Sequence, residues 1–450
     1  MSILNLTKDS KSLIYYYGDL IKNSKGKFIF SQNRNANPKF SKFLSEIFKT
    51  LDNIYNIVNT DLDSIQDFRQ IYTTNSRERK SLLDMIYDKH ILSTRYVDNN
   101  IKSYIKTKNS RLLSYKIPYK SSNVNINFFI YSGFSQKSVA KYDNFVKHMM
   151  ALIYLIDESS LGNSCSKDGI NIQLFLTPFK REIKREKILG AKNVNGGFCY
   201  GCIERGDIVV YREEELFKVF SHELIHNFGI DKNLIEFGEN VNNKSYNEFK
   251  LYKNFLSIFN LSREINNGDF DLSINESLVE FWGVFFNNVI YSYNFANFLS
   301  KSKSKLEKFR EIFEKINNFE LVHAFLQSTK ILSHNKLDYK SIISHDKTNN
   351  YRENSHLFSY NIIKLMLLFN YKSFIESSIS LNSRGKIYFS DSLRNFNKFF
   401  KYIENVAKSD AFISNFEFIE DLYQLLLSNN KKGVKNLANN LKMSSLEFFI

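Results

Sequence analysis

The stretch Ser221-His222-Glu223-Leu224-Ile225-His226-Asn227-Phe228-Gly229 carries the side chains best suited to chemistry in this 450-residue chain. On an α-helix, residues four apart differ by about 40° of rotation, so His222 and His226 project from one face. Two imidazoles one turn apart can both reach a single Zn²⁺ at about 2.0–2.1 Å. Glu223 lies about 100° from His222 and about 60° from His226 on the same helix. It therefore flanks the metal without binding it, where a general base would take a proton from a zinc-bound water.

A catalytic zinc takes three protein ligands and keeps a fourth position open. A His three residues after Gly229 would give the metzincin pattern, but that position is Lys232, and Asp231 falls one residue early. A later block, Asn275-Glu276-Ser277-Leu278-Val279-Glu280, supplies two acids four apart and hence on one helix face. Glu276 is the expected third ligand. Glu280 is expected to accept the other ring N–H of a ligating histidine, fixing its tautomer. The plainer reading is a capping acid and a surface pair, yet Glu280 sits beside Phe281, Trp282, Phe285 and Phe286, a poor setting for an unpaired acid. Glu236 and Glu239 are rival third ligands. His356 and Tyr360 share a face of a later apolar helix, and either is a candidate donor to an oxyanion; the alternative is that both simply pack.

His222-Glu223-x-x-His226 followed by Asn275-Glu276-x-x-x-Glu280 resembles the gluzincin metallopeptidases. The second block reads Asn-Glu-x-x-x-Asp in thermolysin-like members and Glu-x-x-x-Glu with intervening aromatics in lethal-factor-type toxins. Ser277, Leu278 and Val279 depart from the aromatic spacer, and the 50 positions from His226 to Glu276 exceed the thermolysin-like spacing. The chain is also similar to zinc-peptidase-like proteins of large DNA viruses, which its AT-rich residue usage suits. The resemblance covers roughly residues 122–300. It implies a zinc metallopeptidase with Zn²⁺ on His222, His226 and Glu276, Glu223 as base and Glu280 in support. It also implies a peptide or protein substrate added as a strand to an edge formed by Asn195, Gly196 and Gly197. A catalytically inactive zincin-fold structural or binding protein, virion-associated if viral, is the alternative.

These side chains need elements to hold them. Val124, Ile126, Phe128 and Ile130 alternate with more polar neighbours and predict a strand. A helix over 139–159, a strand over 170–177, an extended piece over 193–198 and a strand over 207–211 follow. The last strand runs into the motif helix, whose first turn is expected to hold Glu213, Glu214 and Glu215 where the helix dipole favours acids. Phe220, Leu224 and Phe228 form its buried face, and Gly229 suits its stop. The expected fold is α+β and mostly helical: a zincin-like core, with a small mixed sheet plus the active-site helix, between helical N- and C-terminal regions. The segments are 1–120, an N-terminal helical region; 121–232, the sheet and motif helix; 233–300, a connector and third-ligand helix; and 301–450, a C-terminal helical subdomain. His90 stands alone and reads as structural.

Composition bounds the rest. Only 16 Gly and 3 Pro favour helices over turn-rich architectures. The 62 basic against 47 acidic residues leave a net charge of +15, but the cations interleave with acids, as from Lys180 to Lys187, and describe a solvated surface. Nucleic acid is thus a less favoured partner. No apolar run is long enough for a signal peptide or a membrane span. Cys199 and Cys202 read as two reduced thiols, pointing to an intracellular, cytoplasmic location, or to a virion.

Overall fold

The computed structural model describes residues 6–448 apart from 25, 29, 31–37, 161–164, 184–185, 235–250, 252, 260–272, 300–304, 345–350, 382–392 and 429–431. The rival ligands Glu236 and Glu239 lie outside the described residues. A six-stranded mixed sheet in the order β1-β2-β3-β4-β6-β5 is surrounded by helices, so the fold is α+β and mostly helical. Its strands are β1 (Arg69–Tyr72), β2 (Arg111–Tyr119), β3 (Ser122–Ile130), β4 (Ile170–Leu176), β5 (Gly197–Cys199) and β6 (Gly206–Val210). β3, β4 and β6 run parallel, while β1, β2 and β5 pair antiparallel with their neighbours.

The helices are α1 (Lys8–Asn23), α2 (Pro38–Asp61), α3 (Arg77–Ile86), α4 (Asn99–Thr107), α5 (Val139–Ser159), the short α6 (Ala191–Val194) and α7 (Leu216–Asn227). They continue as α8 (Ile274–Leu299), α9 (Lys305–His334), α10 (Tyr339–Ile343), α11 (Lys364–Phe369), α12 (Tyr371–Leu381), α13 (Leu393–Ala407), α14 (Asp410–Ser428) and α15 (Lys432–Asn439). No helix among the described residues is long and apolar enough to cross a membrane.

Two strands fall in the region expected to be helical. β2 does alternate, with Leu113, Tyr115, Ile117 and Tyr119 buried on one face, but Leu112 and Pro118 blur the period. β1 has only four residues, too few for any period to register. Both join the sheet through the hairpin that pairs Tyr119 with Ser122, with Lys120 at φ 51° in the tight turn.

Period-2 alternation gives the sheet two different faces. Ile126, Phe128, Ile172, Leu174, Ile208 and Val210 pack against α5 and α7 in a core that continues through α8, α9 and α11. On the opposite face Leu112, Phe129, Phe175 and Val209 meet α3, α4 and the π-helical turn Tyr87–Ile91 in a smaller core. His90 sits in that turn with its Nδ1 3.0 Å from the Tyr200 hydroxyl, a satisfied structural histidine.

The end of the chain is a structural element without regular structure. Residues 441–448 are buried throughout, although they form neither helix nor ladder. Their backbone N–H groups must therefore find side-chain acceptors. Glu320 of α9, itself 1 % exposed, takes Ser445 N at 2.9 Å, Leu446 N at 3.2 Å and the hydroxyls of Ser444 and Ser445 at 2.8 and 2.6 Å, all on Oε1. Glu215 takes Met443 N at 3.1 Å and Ser444 N at 2.7 Å. This demand overrides the expected role of the acids before α7. The helix begins only at Leu216, and Glu215 precedes it at φ 57°, gripping the tail and Arg181 rather than complementing a dipole. Removing such an acceptor strands buried donors, so Glu320→Ala should lower unfolding free energy by about 3 kcal/mol or more in urea titrations. A loss under about 1 kcal/mol would mean that the tail is not anchored there.

Candidate metal centre

α7 forms because nearly every one of its side chains has somewhere to be buried. Phe220 and Leu224 are fully enclosed, with Phe228 just beyond the last turn, and Gly229 ends the helix at φ 63°. α8 packs along it through a buried stretch in which the apolar run Phe281–Phe286 follows Glu280, and Gly283 brings the two backbones together: a Cβ there would lie 3.3 Å from the His222 Cα. Two long helices in such close contact fix the histidines of one against the acids of the other.

The expected constellation assembles. The Nε2 atoms of His222 and His226 each lie 3.4 Å from Glu276 Oε2. These three ligand atoms all fall within 4.8 Å of one another, and no other such group occurs among the described residues. Ligands about 2.0–2.2 Å from a tetrahedral ion are separated by about 3.3–3.6 Å, which the 3.4 Å spacings match. Glu276 Oε2 is buried and has no hydrogen-bond partner. That orphaned oxygen faces two imidazole nitrogens, a donor set of the borderline N/O kind that divalent transition metals take.

Each imidazole is oriented from behind. His222 Nδ1 donates to Glu280 Oε2 at 2.9 Å, and His226 Nδ1 donates to Asp231 Oδ2 at 2.7 Å. Each carboxylate thus fixes the tautomer that leaves an Nε2 lone pair turned inward. Glu280 is the support expected. Asp231 is a partner the sequence reading set aside: it fails as a ligand one residue early, but the turn at Gly229 folds it back beneath His226. Asn275 Nδ2 bonds the same Asp231 oxygen at 3.3 Å, tying the start of α8 to that turn.

Two buried lysines were not anticipated either. Lys218, one turn before His222 on α7, forms an ion pair with Glu280, and Lys364 of α11 stands 3.7 Å from it. An acid and two bases at 1–3 % side-chain exposure form one cluster spanning three helices. The i−4 spacing of Lys218 from His222 was a readable signal, whereas Lys364 is distant in sequence and left none.

Electrostatics follow from this crowding. Burial would lift the Glu280 carboxyl, but Lys218, His222 and Lys364 together hold it well below the usual range. Burial raises Glu223 above an ordinary carboxylate against the pull of His222 and His226. For His222 and His226 burial acts downward, and the surrounding carboxylates outweigh it and raise both.

Of the two oxyanion candidates, Tyr360 lines the cleft over the histidines, its ring centroid 6.1 Å from that of His222. Burial and the carboxylates of Glu276, Glu223 and Glu280 keep its phenol protonated far above neutral pH. His356 sits behind it at 6.1 Å between ring centroids and is not among the residues lining the cleft. Tyr360 belongs to the π-helical turn Phe358–Ile363, a local widening of the kind often found at functional sites.

β5, the sheet edge beside α7, takes in only Gly197 of the expected 195–197; residues 191–194 coil into α6, and Asn195 and Gly196 lead from it into the strand. The glycines have specific reasons. A Cβ on Gly196 would collide with the Arg181 guanidinium, which is held by Val194 O at 2.6 Å and Glu215 Oε2 at 2.7 Å. A Cβ on Gly197 would sit 3.1 Å from Glu223 Oε1 and 2.9 Å from Val209 O. The space they leave is filled by the protein's own groups, and Gly197 lets the Glu223 carboxylate reach the edge strand. Asn195 also lines the cleft, its side-chain oxygen accepting from Ser355 Oγ at 3.1 Å.

The cysteine expectation is overturned. Cys165 and Cys202 form a disulfide with Cα atoms 4.8 Å apart, and Cys199 alone is free. Gly201 at φ 72° turns the chain after β5, so that Cys202 faces the loop at Cys165 while Cys199 stays on the strand. The cysteine argument for a reducing compartment therefore falls away. Burial pushes the Cys199 thiol up, away from nucleophilic use. No protein-family model, curated protein or solved structure matches this chain.

Proposed function

We propose that the chain is a zinc-dependent metallopeptidase of zincin type, acting on peptide or protein substrates. The observation that carries this reading is the convergence of His222 Nε2, His226 Nε2 and the orphaned Glu276 Oε2 at 3.4 Å, with both Nδ1 atoms tied to carboxylates. His222, His226 and Glu276 would hold the ion. Zinc bound there would supply Lewis acidity and bring the pKa of a water to about 7.

The protein's own groups divide the remaining work. Glu223, adjacent to His222 and reaching toward Gly197, accepts the proton of the attacking water and returns it to the leaving amine; burial raises its basicity for that task. Tyr360 donates its O–H to the oxygen on which negative charge develops. The substrate backbone pairs with the free side of β5, which brings the scissile carbonyl between Glu223 and Tyr360. Glu280 and Asp231 hold the two imidazoles aligned with each Nε2 turned inward, and Lys218 and Lys364 keep Glu280 ionised in its buried setting.

Three outcomes test this reading. Wild-type protein should carry about one zinc per chain by elemental analysis, and His226→Ala or Glu276→Ala should carry almost none; equal content in wild type and Glu276→Ala removes the third ligand. Glu223→Gln should retain the metal and lose about 10³-fold in cleavage of a peptide library, the scale of a lost general base. Undiminished turnover in that variant would refute the mechanism, and metal-replete wild type without cleavage would favour the inactive binding protein. Tyr360→Phe should cost about 10²-fold in kcat with little change in KM, while His356→Phe stays near wild type.

A further inference from the structure

A second groove lies on the far side of the sheet from the candidate metal centre. It encloses about 430 Å³, within the range of small-ligand sites. Its floor is unusual for its position. Central parallel strands are ordinarily covered on both faces and rich in branched apolar residues. Phe129, Phe175 and Val209 obey that rule at one end of this face. At the other end the same strands switch to Asn125, Asn127, Asn171, Gln173 and Asp207, although Asn and Asp are poor strand formers.

These side chains form two rows across the strands. Asn127 Nδ2 donates to Gln173 Oε1 at 3.0 Å. In the neighbouring row Asn125 Nδ2 donates to Asn171 Oδ1 and Asn171 Nδ2 to Asp207 Oδ1, both at 2.9 Å, and Lys89 closes the row on Asp207 at 3.0 Å. A side-chain amide has two N–H donors and two acceptor lone pairs, and the bonds along these rows, with Ser114 Oγ donating to Asn127 Oδ1, use only part of that capacity. One wall is apolar: Leu82, Met85 and Ile86 of α3, with Met85 58 % exposed. Lys116 at one end of the second row and Arg205 beyond the other line the groove and form no ion pair among the described residues. Lys116 and Asp207 are three strand spacings apart, about 14 Å.

We propose that this groove binds an acidic oligosaccharide, its hydroxyls on the amide rows and its carboxylates near Lys116 and Arg205. A flat floor of neutral donors and acceptors suits ring hydroxyls. Two cations carried on backbone positions at least three strand spacings apart, about 14 Å, suit successive charged sugar units better than one small anion. Nucleobases are less suited, because the one lining phenol or phenyl ring, Tyr115, turns to the opposite face, where its hydroxyl meets Asp143 at 2.8 Å. Stacking, the usual grip on unpaired bases, then rests on the His90 ring alone. This inference is independent of the zinc reading.

The test is calorimetric titration of the full chain with a tetramer of galacturonic acid at physiological salt. Maltotetraose serves as the neutral control and a short oligothymidylate as the polyanion control. Galacturonate should bind, maltotetraose at least tenfold more weakly, and Lys116→Glu with Arg205→Glu should weaken binding at least tenfold with an unchanged melting temperature. Asn125→Ala, which removes one rung of the floor, should weaken it without altering metal content. The proposal falls if galacturonate shows no binding at millimolar concentration or maltotetraose binds equally. It also falls if the charge-reversed protein binds as well as wild type, or if oligothymidylate binds more tightly through the same two cations.

Discussion

The arrangement at the candidate metal centre depends on one buried carboxylate. Glu280 is removed from water, where an isolated charge would be prohibitively costly, and it persists because Lys218, Lys364 and His222 surround it. Each partner comes from a different constraint. Lys218 and His222 lie one turn apart on α7, Glu280 projects from α8, and Lys364 lies one turn after Tyr360. Satisfying this one acid therefore aligns the motif helix, the helix carrying Glu276 and the segment carrying Tyr360. Well-packed apolar residues could hold three helices together equally well or better, so the cluster contributes specificity rather than stability. What it specifies is the direction in which the His222 Nε2 points.

The same logic extends outward through a second set of buried charges. Arg181 and Glu215 meet at 2.7 Å, and Glu215 grips the chain end that places Met443 against the cleft. Lys364 Nζ also donates to Met443 O at 3.0 Å, so the chain terminus is bonded from both the edge-strand side and the Tyr360 side. The cleft is thus lined by segments that are remote in sequence, Met443 of the chain end among them. Burial pushes Glu214 in this network up to about 7, against the pull of Lys442 and Arg181. The network is accordingly held by a balance of charges rather than by a surplus of either sign.

What the sequence made legible was local. The strand at Ser122–Ile130, the helix at Val139–Ser159, the motif helix with its stop at Gly229 and the placement of Glu276 and Glu280 on one face all follow from period and spacing, which a single sequence displays directly. What stayed hidden was set by distant partners. Asp231 reads as a failed ligand until the turn at Gly229 folds it under His226. Glu214 and Glu215 read as dipole acids because nothing in the sequence announces that the chain end will need acceptors. Cys202 pairs with Cys165 rather than lying beside Cys199 because of a left-handed Gly201, a conformation that composition does not reveal.

Gly196 and Gly197 show how a correct position can carry an incomplete reason. Both lie at the expected edge, where glycine suggests room for a substrate backbone. The space lacking a Cβ is instead taken by the Arg181 guanidinium at Gly196 and by Val209 O, Val219 and the Glu223 carboxylate at Gly197. Glycine at the edge is therefore first a requirement of the protein's own packing. Bringing Glu223 against the strand has a functional corollary, because a carboxylate wedged between α7 and β5 has few rotamers left. Under the proposed mechanism, pre-orienting Glu223 in this way reduces the reorganisation needed at the moment of proton transfer. A larger residue at Gly197 would press first on Val209 O, Val219 and the Glu223 carboxylate, and His222, His226 and Glu276 are not among its nearest neighbours.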